Sequence, residues 1–252
     1  MSAEPMIEID VAEIRPIAGD EIWRLARTEY LRTLALLRQL EAADWQRPTD
    51  CRAWTIHDLA GHLLGAAEGF SNPLEMLHQY RAGARFIRDG RTDGTQTVDG
   101  ANAVQVADRS SLSVPQLIAR YEAVIDPVLR WRRRLRHLPG GMNDVARPFT
   151  FHELFEVVLT RDTWMHRLDI SRAGGIDFER TPEHDGRIVA DAVRDWAAGH
   201  GQPFRLLLTG PAGGGFRRGQ TADAQCMDAL EFARLLSGRS GDAGVLETRI
   251  VF

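Results

Sequence analysis

Apolar positions recur with a helical period along most of the first 175 residues. From Asp20 to Ala43, residues Ile22, Leu25, Ala26, Leu34, Leu37 and Leu40 fall on one stripe of a 3.6-residue repeat, which predicts an amphipathic helix with a single buried face. Thr55-Ile56-His57-Asp58 is a capping box in its aspartate form. The hydroxyl takes an orphan N–H and the carboxylate answers three residues on, predicting a helix that runs to about Gln79. Residues 81–112 are weakly periodic and rich in Gly, Asp, Thr and Ser, so a long loop with one short helix is expected there. Ser113-Val114-Pro115-Gln116 opens a third helix, stopped by Pro139-Gly140-Gly141. Thr150-Phe151-His152-Glu153 opens a fourth, which ends at Gly174-Gly175. Four long helices joined by loops predict a four-helix bundle, with the long second connection permitting a crossover.

After Gly175 the pattern changes. Thr181-Pro182 begins a helix through about Ala198, and Phe204–Thr209 reads as a strand, followed by a glycine-rich turn and a short Gly-Phe-Arg-Arg-Gly strand. A helix from about Asp223 to Leu236 and a closing strand from Leu246 to Phe252 complete a small α+β unit. The expected architecture is therefore mainly α, with a bundle over residues 1–178 and an α+β domain over 179–252.

Composition narrows the function classes. The net charge of −4 argues against a general polyanion binder, and all 31 basic residues are arginine, which excludes lysine Schiff-base chemistry. Two cysteines, Cys51 and Cys226, form no CxxC pair and no disulfide framework. No apolar run approaches the roughly 18 residues of a membrane span. The opening MSAEPMIEIDVAEI lacks the basic and apolar regions of a secretory signal, so a cytoplasmic protein is expected.

Mid-helix polar residues carry the candidate chemistry. His62 lies on or at the edge of the apolar stripe of the second helix. On the fourth, Asp162, His166 and Asp169 fall at i, i+4 and i+7 on one face that also holds Val158, Leu159 and Met165. A carboxylate turned into a bundle without a partner costs several kcal/mol, on the order of 2–7 for an uncompensated polar group. A hydrogen-bonded core network, a salt bridge and a metal all answer that cost. Bundles build metal sites from inward carboxylates and imidazoles on facing helices, and three N/O ligands leave a position open for water or substrate. Asp169 then orients His166 from behind or caps the helix end.

Asp44-Trp45-Gln46-Arg47-Pro48-Thr49-Asp50-Cys51-Arg52-Ala53-Trp54-Thr55-Ile56-His57-Asp58-Leu59-Ala60-Gly61-His62-Leu63 resembles the N-terminal signature of the mycothiol-dependent maleylpyruvate isomerase family, within the DinB-like superfamily of metal-binding four-helix bundles. Arg161-Asp162-Thr163-Trp164-Met165-His166-Arg167-Leu168-Asp169 resembles the family's second signature. The ending, Phe232 to Arg239 with a terminal Phe252, looks like its C-terminal domain. The resemblance implies that His62, Asp162 and His166 are the metal triad, with zinc the usual ion. It also implies that Arg239 serves the substrate and that mycothiol is the cosubstrate. The family commonly has Glu where this chain has Asp162, one methylene shorter, which draws the ion toward the fourth helix or interposes a water.

The implied chemistry follows from thiol acidity. A free thiol, pKa ~8.5, is mostly protonated at neutral pH, and a divalent ion deprotonates a coordinating thiol. Addition of the thiolate to an electron-poor double bond, rotation and elimination would give isomerisation; stopping at the adduct or displacing a leaving group would give thiol transfer. The implied partners are a small thiol and a small electrophile, for a monomer or homodimer that binds neither nucleic acid nor membrane. A metal-dependent hydrolase and a non-catalytic bundle use the same residues and stay open. Arg130–Arg136 reads as a solvated helix face with Trp131 and Leu135 turned inward. Cys51 reads as a structural loop thiol, and Trp45 and Trp54 as a hydrophobic brace.

Overall fold

Helical periodicity becomes helix wherever a cap or a breaker marks the ends. The computed structural model describes residues 7–51, 53–92, 94–142, 147–220, 223–239 and 248–252. In chain order it contains β1 (Glu8–Asp10), α1 (Asp20–Leu37), α2 (Ile56–Ser71), α3 (Pro73–Arg88), α4 (Thr97–Ala107), α5 (Val114–Leu135), β2 (Gly141–Met142), β3 (Phe149–Thr150) and α6 (Phe151–Glu153). A π-helical turn (Leu154–Val158) leads into α7 (Leu159–Gly174), and α8 (Arg187–His200), β4 (Phe204–Thr209), β5 (Gly214–Arg218), β6 (Gln225–Asp228) and α9 (Ala229–Leu236) follow. The fold is mainly helical, with a small sheet. No helix among the described residues is long and apolar enough to cross a membrane.

The chain separates into two compact units. One is Ala26–Pro139 with Phe151–Phe178; the other is Met1–Leu25, Gly140–Thr150 and Glu179–Phe252. The first is the helical unit. Its core joins Tyr30, Leu34 and Leu37 of α1, Leu59 and Leu63 of α2, Leu117, Tyr121 and Val128 of α5, and Ile170 of α7. One ion pair is sealed within it: Arg167 Nε donates to Glu29 Oε1 at 2.5 Å, and the guanidinium lies 3.9 Å from the Phe178 ring centroid. Both side chains are essentially without solvent contact.

Several expected boundaries shift. The helix expected over 56–79 is two helices, because Pro73 has no N–H to continue α2, and Asn72 caps α3 by accepting from the Leu74 amide at 3.0 Å. In the stretch expected as a long loop with one short helix, 81–112, α3 runs on to Arg88 and the short helix is the three-turn α4. These helices pass so closely that a Cβ on Gly83 would stand 2.5 Å from the Gly100 carbonyl carbon. The pattern there looks loop-like because the contact is made by glycines rather than by an apolar stripe. Arg132, expected on a solvated face, is fully buried. Its Nε donates to the Phe155 carbonyl at 2.9 Å and its Nη2 to Thr160 Oγ1 at 2.9 Å. It reaches that carbonyl inside the π turn, where the Leu159 amide bonds back five residues to Leu154.

The second unit is built on a four-stranded sheet ordered β1-β5-β4-β6. Strand β4 runs antiparallel to β5 and parallel to β6, and β1, which the sequence pattern did not suggest, adds parallel to β5. Phe204, Leu206 and Leu208 alternate inward along β4, and Trp196 of α8 packs edge-on to Phe204 and to Phe232 of α9. The segment expected as one helix from Asp223 supplies β6 before α9 starts, because Asp228 caps the helix through the Leu230 amide at 2.8 Å. Of the expected closing strand, residues 248–252 are not in a strand, and Leu246 and Glu247 lie outside the described residues.

Candidate metal centre

The capping box begins the site. Thr55 N–H donates to Asp58 Oδ2 at 3.0 Å and the Asp58 N–H to Thr55 Oγ1 at 3.2 Å, which fixes the first turn of α2. Two turns on, His62 is buried. On α7, Asp162 and His166 are one turn apart, with His166 Nε2 3.3 Å from Asp162 Oδ1. The His62 and His166 rings meet edge to face, 5.0 Å between centroids. One ligand atom from each of His62, Asp162 and His166 lies within 4.8 Å of the other two.

The far side of each imidazole is also held. Asp169 Oδ2 stands 3.1 Å from His166 Nδ1 and accepts from the Cys51 thiol at 3.6 Å. Cys51 Sγ is itself 3.8 Å from His166 Nδ1, so this thiol packs against the site, a contact that its place in a loop had not indicated. Burial alone would push the His166 imidazole down. The Asp162 charge, its hydrogen bond and those of Asp169 and Cys51 outweigh burial and hold it well above the ordinary histidine value. His62 Nδ1 lies 2.8 Å from Gln105 Oε1, and Trp54 stacks on its ring at 5.0 Å. Trp54 thus braces a candidate ligand, while Trp45 is buried in the core and edge-on to His57.

The donor set suits a divalent ion. Tetrahedral ligands at 2.0–2.1 Å are separated by about 3.4 Å, and the three candidate atoms lie within 4.8 Å of one another. Borderline imidazole nitrogens and one carboxylate oxygen are a donor mixture that zinc accepts. A second group, Cys51, His166 and Asp169, also meets this spacing, but its atoms are joined by the hydrogen bonds just described. Arg239 lies in the other unit, in the turn after α9, where its amide donates to the Arg234 carbonyl at 2.9 Å. Gln79 and Gln105 were not anticipated, since residues 81–112 carried no clear helical period from which Gln105 could be placed on a face.

Residues 26–171 match the family model described as the mycothiol maleylpyruvate isomerase N-terminal domain. No curated protein matches the sequence. Among solved structures, the chain is similar to the mycothiol-dependent maleylpyruvate isomerase, at TM-score 0.56 and 16% identity over 93% of this chain and 94% of that one. A histidine-to-alanine mutant of the same enzyme gives TM-score 0.56 and 15% identity over 92% of both chains. At this identity the solved structures establish the shared fold, and the family match covers more than half of the sequence. The chain belongs to the mycothiol maleylpyruvate isomerase family.

Proposed function

We propose that this protein is a metal-dependent enzyme that uses a low-molecular-weight thiol of the mycothiol type to isomerise, or transfer sulfur to, a small electrophile. The observation that carries the reading is the convergence of His62, Asp162 and His166 within 4.8 Å from two helices, inside the segment that matches the family. A divalent ion, zinc by preference, would supply one thing there: it lowers the pKa of a coordinating thiol, so that the nucleophilic thiolate forms at neutral pH.

The chain's own residues do the rest. His62 and His166 offer imidazole nitrogens and Asp162 a carboxylate oxygen. Asp169 holds the Nδ1 side of His166, leaving Nε2 as the ligand atom. Trp54 shields one face of His62 from water. Arg239 is assigned to the anionic part of the substrate, a role suited to its forked guanidinium.

Protein purified without added metal is expected to carry about one divalent ion per chain, as a three-ligand site would hold, and H62A to lose it. Equal metal content in the two refutes the assignment. Mycothiol is expected to change the visible spectrum of cobalt-substituted protein; an unchanged spectrum at saturating thiol removes the thiol from the reading. R239A is expected to raise KM for maleylpyruvate at unchanged metal content.

A further inference from the structure

His62 is met at Nδ1 by Gln105, which is met in turn by Gln79, and both amides can be oriented from their partners. Gln79 Nε2 lies 2.8 Å from the Gly65 carbonyl and 2.8 Å from Glu75 Oε1. A carbonyl can only accept, so the Gln79 amide nitrogen must face it. Glu75 accepts as well. Burial would push its carboxyl up, but hydrogen bonds from Gln79 and Arg109 and the Arg109 charge outweigh burial and hold it below the usual range. Gln79 Oε1 is therefore the end that faces α4, and it accepts from Gln105 Nε2 at 2.9 Å. This turns Gln105 Oε1 toward His62 Nδ1, 2.8 Å away. An amide oxygen has no proton to give, so Nδ1 carries the hydrogen, and in the neutral imidazole Nε2 carries the lone pair.

Glycines on α2 let this chain of amides come close. A Cβ on Gly65 would stand 2.6 Å from Gln105 Cβ, and one on Gly69 would stand 2.8 Å from Gln79 Oε1. Both glutamines are buried, and Arg109, paired to Glu68 and Glu75, donates to the Gln105 carbonyl at 3.2 Å.

We propose that Gln105, backed by Gln79, is a positioning residue that fixes the tautomer and ring orientation of His62, so that Nε2 is the nitrogen presented as a metal ligand. The inference rests on the metal reading given above. It extends that reading to α3 and α4, neither of which carries a ligand. It also separates the two imidazoles by device: His166 is oriented by a carboxylate on its own helix, His62 by a neutral amide from another.

The test uses two variants of Gln105 and three readouts. In metal-free protein with 15N-labelled histidine, the wild type is expected to show His62 protonated at Nδ1. Q105M, similar in size but without the acceptor, is expected to lose that tautomer and to weaken zinc binding, measured by chelator competition, by about 10–100-fold. Q105E keeps an oxygen against Nδ1–H but sets its other oxygen against Gln79 Oε1. It is expected to lower folding stability while retaining the tautomer and zinc affinity within a few-fold of wild type.

A network that only ties the helices together would make affinity follow stability in both variants, and that result overturns the proposal. An unchanged tautomer and unchanged affinity in Q105M also overturn it. Equal zinc uptake by wild type and H62A identifies a different failure. It removes the metal reading, and with it this use of the glutamines, while the tautomer of the metal-free wild type still reports on the hydrogen bond itself.

Discussion

Adding one methyl group to α2 separates the positioning network from the ligands. In Gly65→Ala the new Cβ would stand 2.6 Å from Gln105 Cβ, 2.8 Å from its Cγ and 3.0 Å from Arg109 Nη1. Carbon pairs rest at roughly 3.5–4.0 Å, so α4 or the Gln105 side chain must withdraw by about 1 Å. Overpacking of this kind costs about 1–3 kcal/mol, and replacing a helical glycine returns up to ~1 kcal/mol. The expected net loss is therefore about 0–3 kcal/mol, read by urea denaturation of metal-free protein. Gly61→Ala is the control: it makes the same change one turn earlier, where the nearest atom, Arg109 Cβ, is 3.4 Å away. It is expected to be neutral or slightly stabilising. Zinc affinity should follow the displacement of Gln105, falling by about 10–100-fold in Gly65→Ala and staying unchanged in Gly61→Ala. Equal stability and equal affinity in the two variants would refute the steric argument.

Other outcomes follow from the same geometry. Glu29→Ala leaves the Arg167 guanidinium buried without its carboxylate and is expected to cost about 3–5 kcal/mol by chemical denaturation. The double variant Glu29→Leu, Arg167→Met should recover most of that, and no recovery would show that the pair does more than neutralise itself. The raised His166 value makes metal-free stability depend on pH. The contribution is fully present below the unfolded value of about 6.5. It declines above that, where the unfolded chain has lost the proton and the native chain still holds it, and is gone once pH has passed the folded value. Denaturation of metal-free wild type and His166→Gln across this range checks the sign, the variant being the flatter. Thr55→Ala removes the cap of α2 and is expected to cost about 1 kcal/mol, with zinc affinity unchanged if the cap serves only the helix.

The bundle was legible because its helices carry an apolar stripe and two of them, α2 and α5, start at capping boxes; Thr55 with Asp58 and Ser113 with Gln116 lie where the pattern put them. The candidate ligands were legible for the complementary reason. His62, Asp162 and His166 interrupt apolar faces in mid-helix, where capping does not account for them. Two kinds of feature escaped. The extent of α3 and the bounds of α4 escaped because the two helices meet through Gly83 and Gly100, which carry no apolar side chain to read. Arg132 was placed on a solvated face by the charge run and by the helical spacing of Trp131 and Leu135, whereas a π turn 23 positions away in sequence supplies the carbonyl that its Nε reaches. Contacts of that kind depend on tertiary approach, and a local pattern does not contain them. Gln79 and Gln105 combine both difficulties.

The choice of an amide rather than a carboxylate behind His62 has an electrostatic consequence on the metal reading. Asp162 and Asp169 together carry the charge that balances a divalent ion, and neutral imidazoles add none. With such an ion bound, a coordinating thiolate would bring the site to a single excess negative charge. A carboxylate at position 105 would raise that to two, and each added anion at close range disfavours the thiolate and pushes the bound thiol's pKa upward. Gln105 offers the His62 ring an acceptor oxygen at 2.8 Å, a weaker bond than a carboxylate would make, but one that adds no negative charge beside the site. Orientation and thiol activation would pull in opposite directions if the second imidazole were oriented as the first is. The amide chain from Glu75 through Gln79 and Gln105 reconciles them by ending on a carboxylate two side chains removed from the ligand, and that carboxylate is already paired with Arg109.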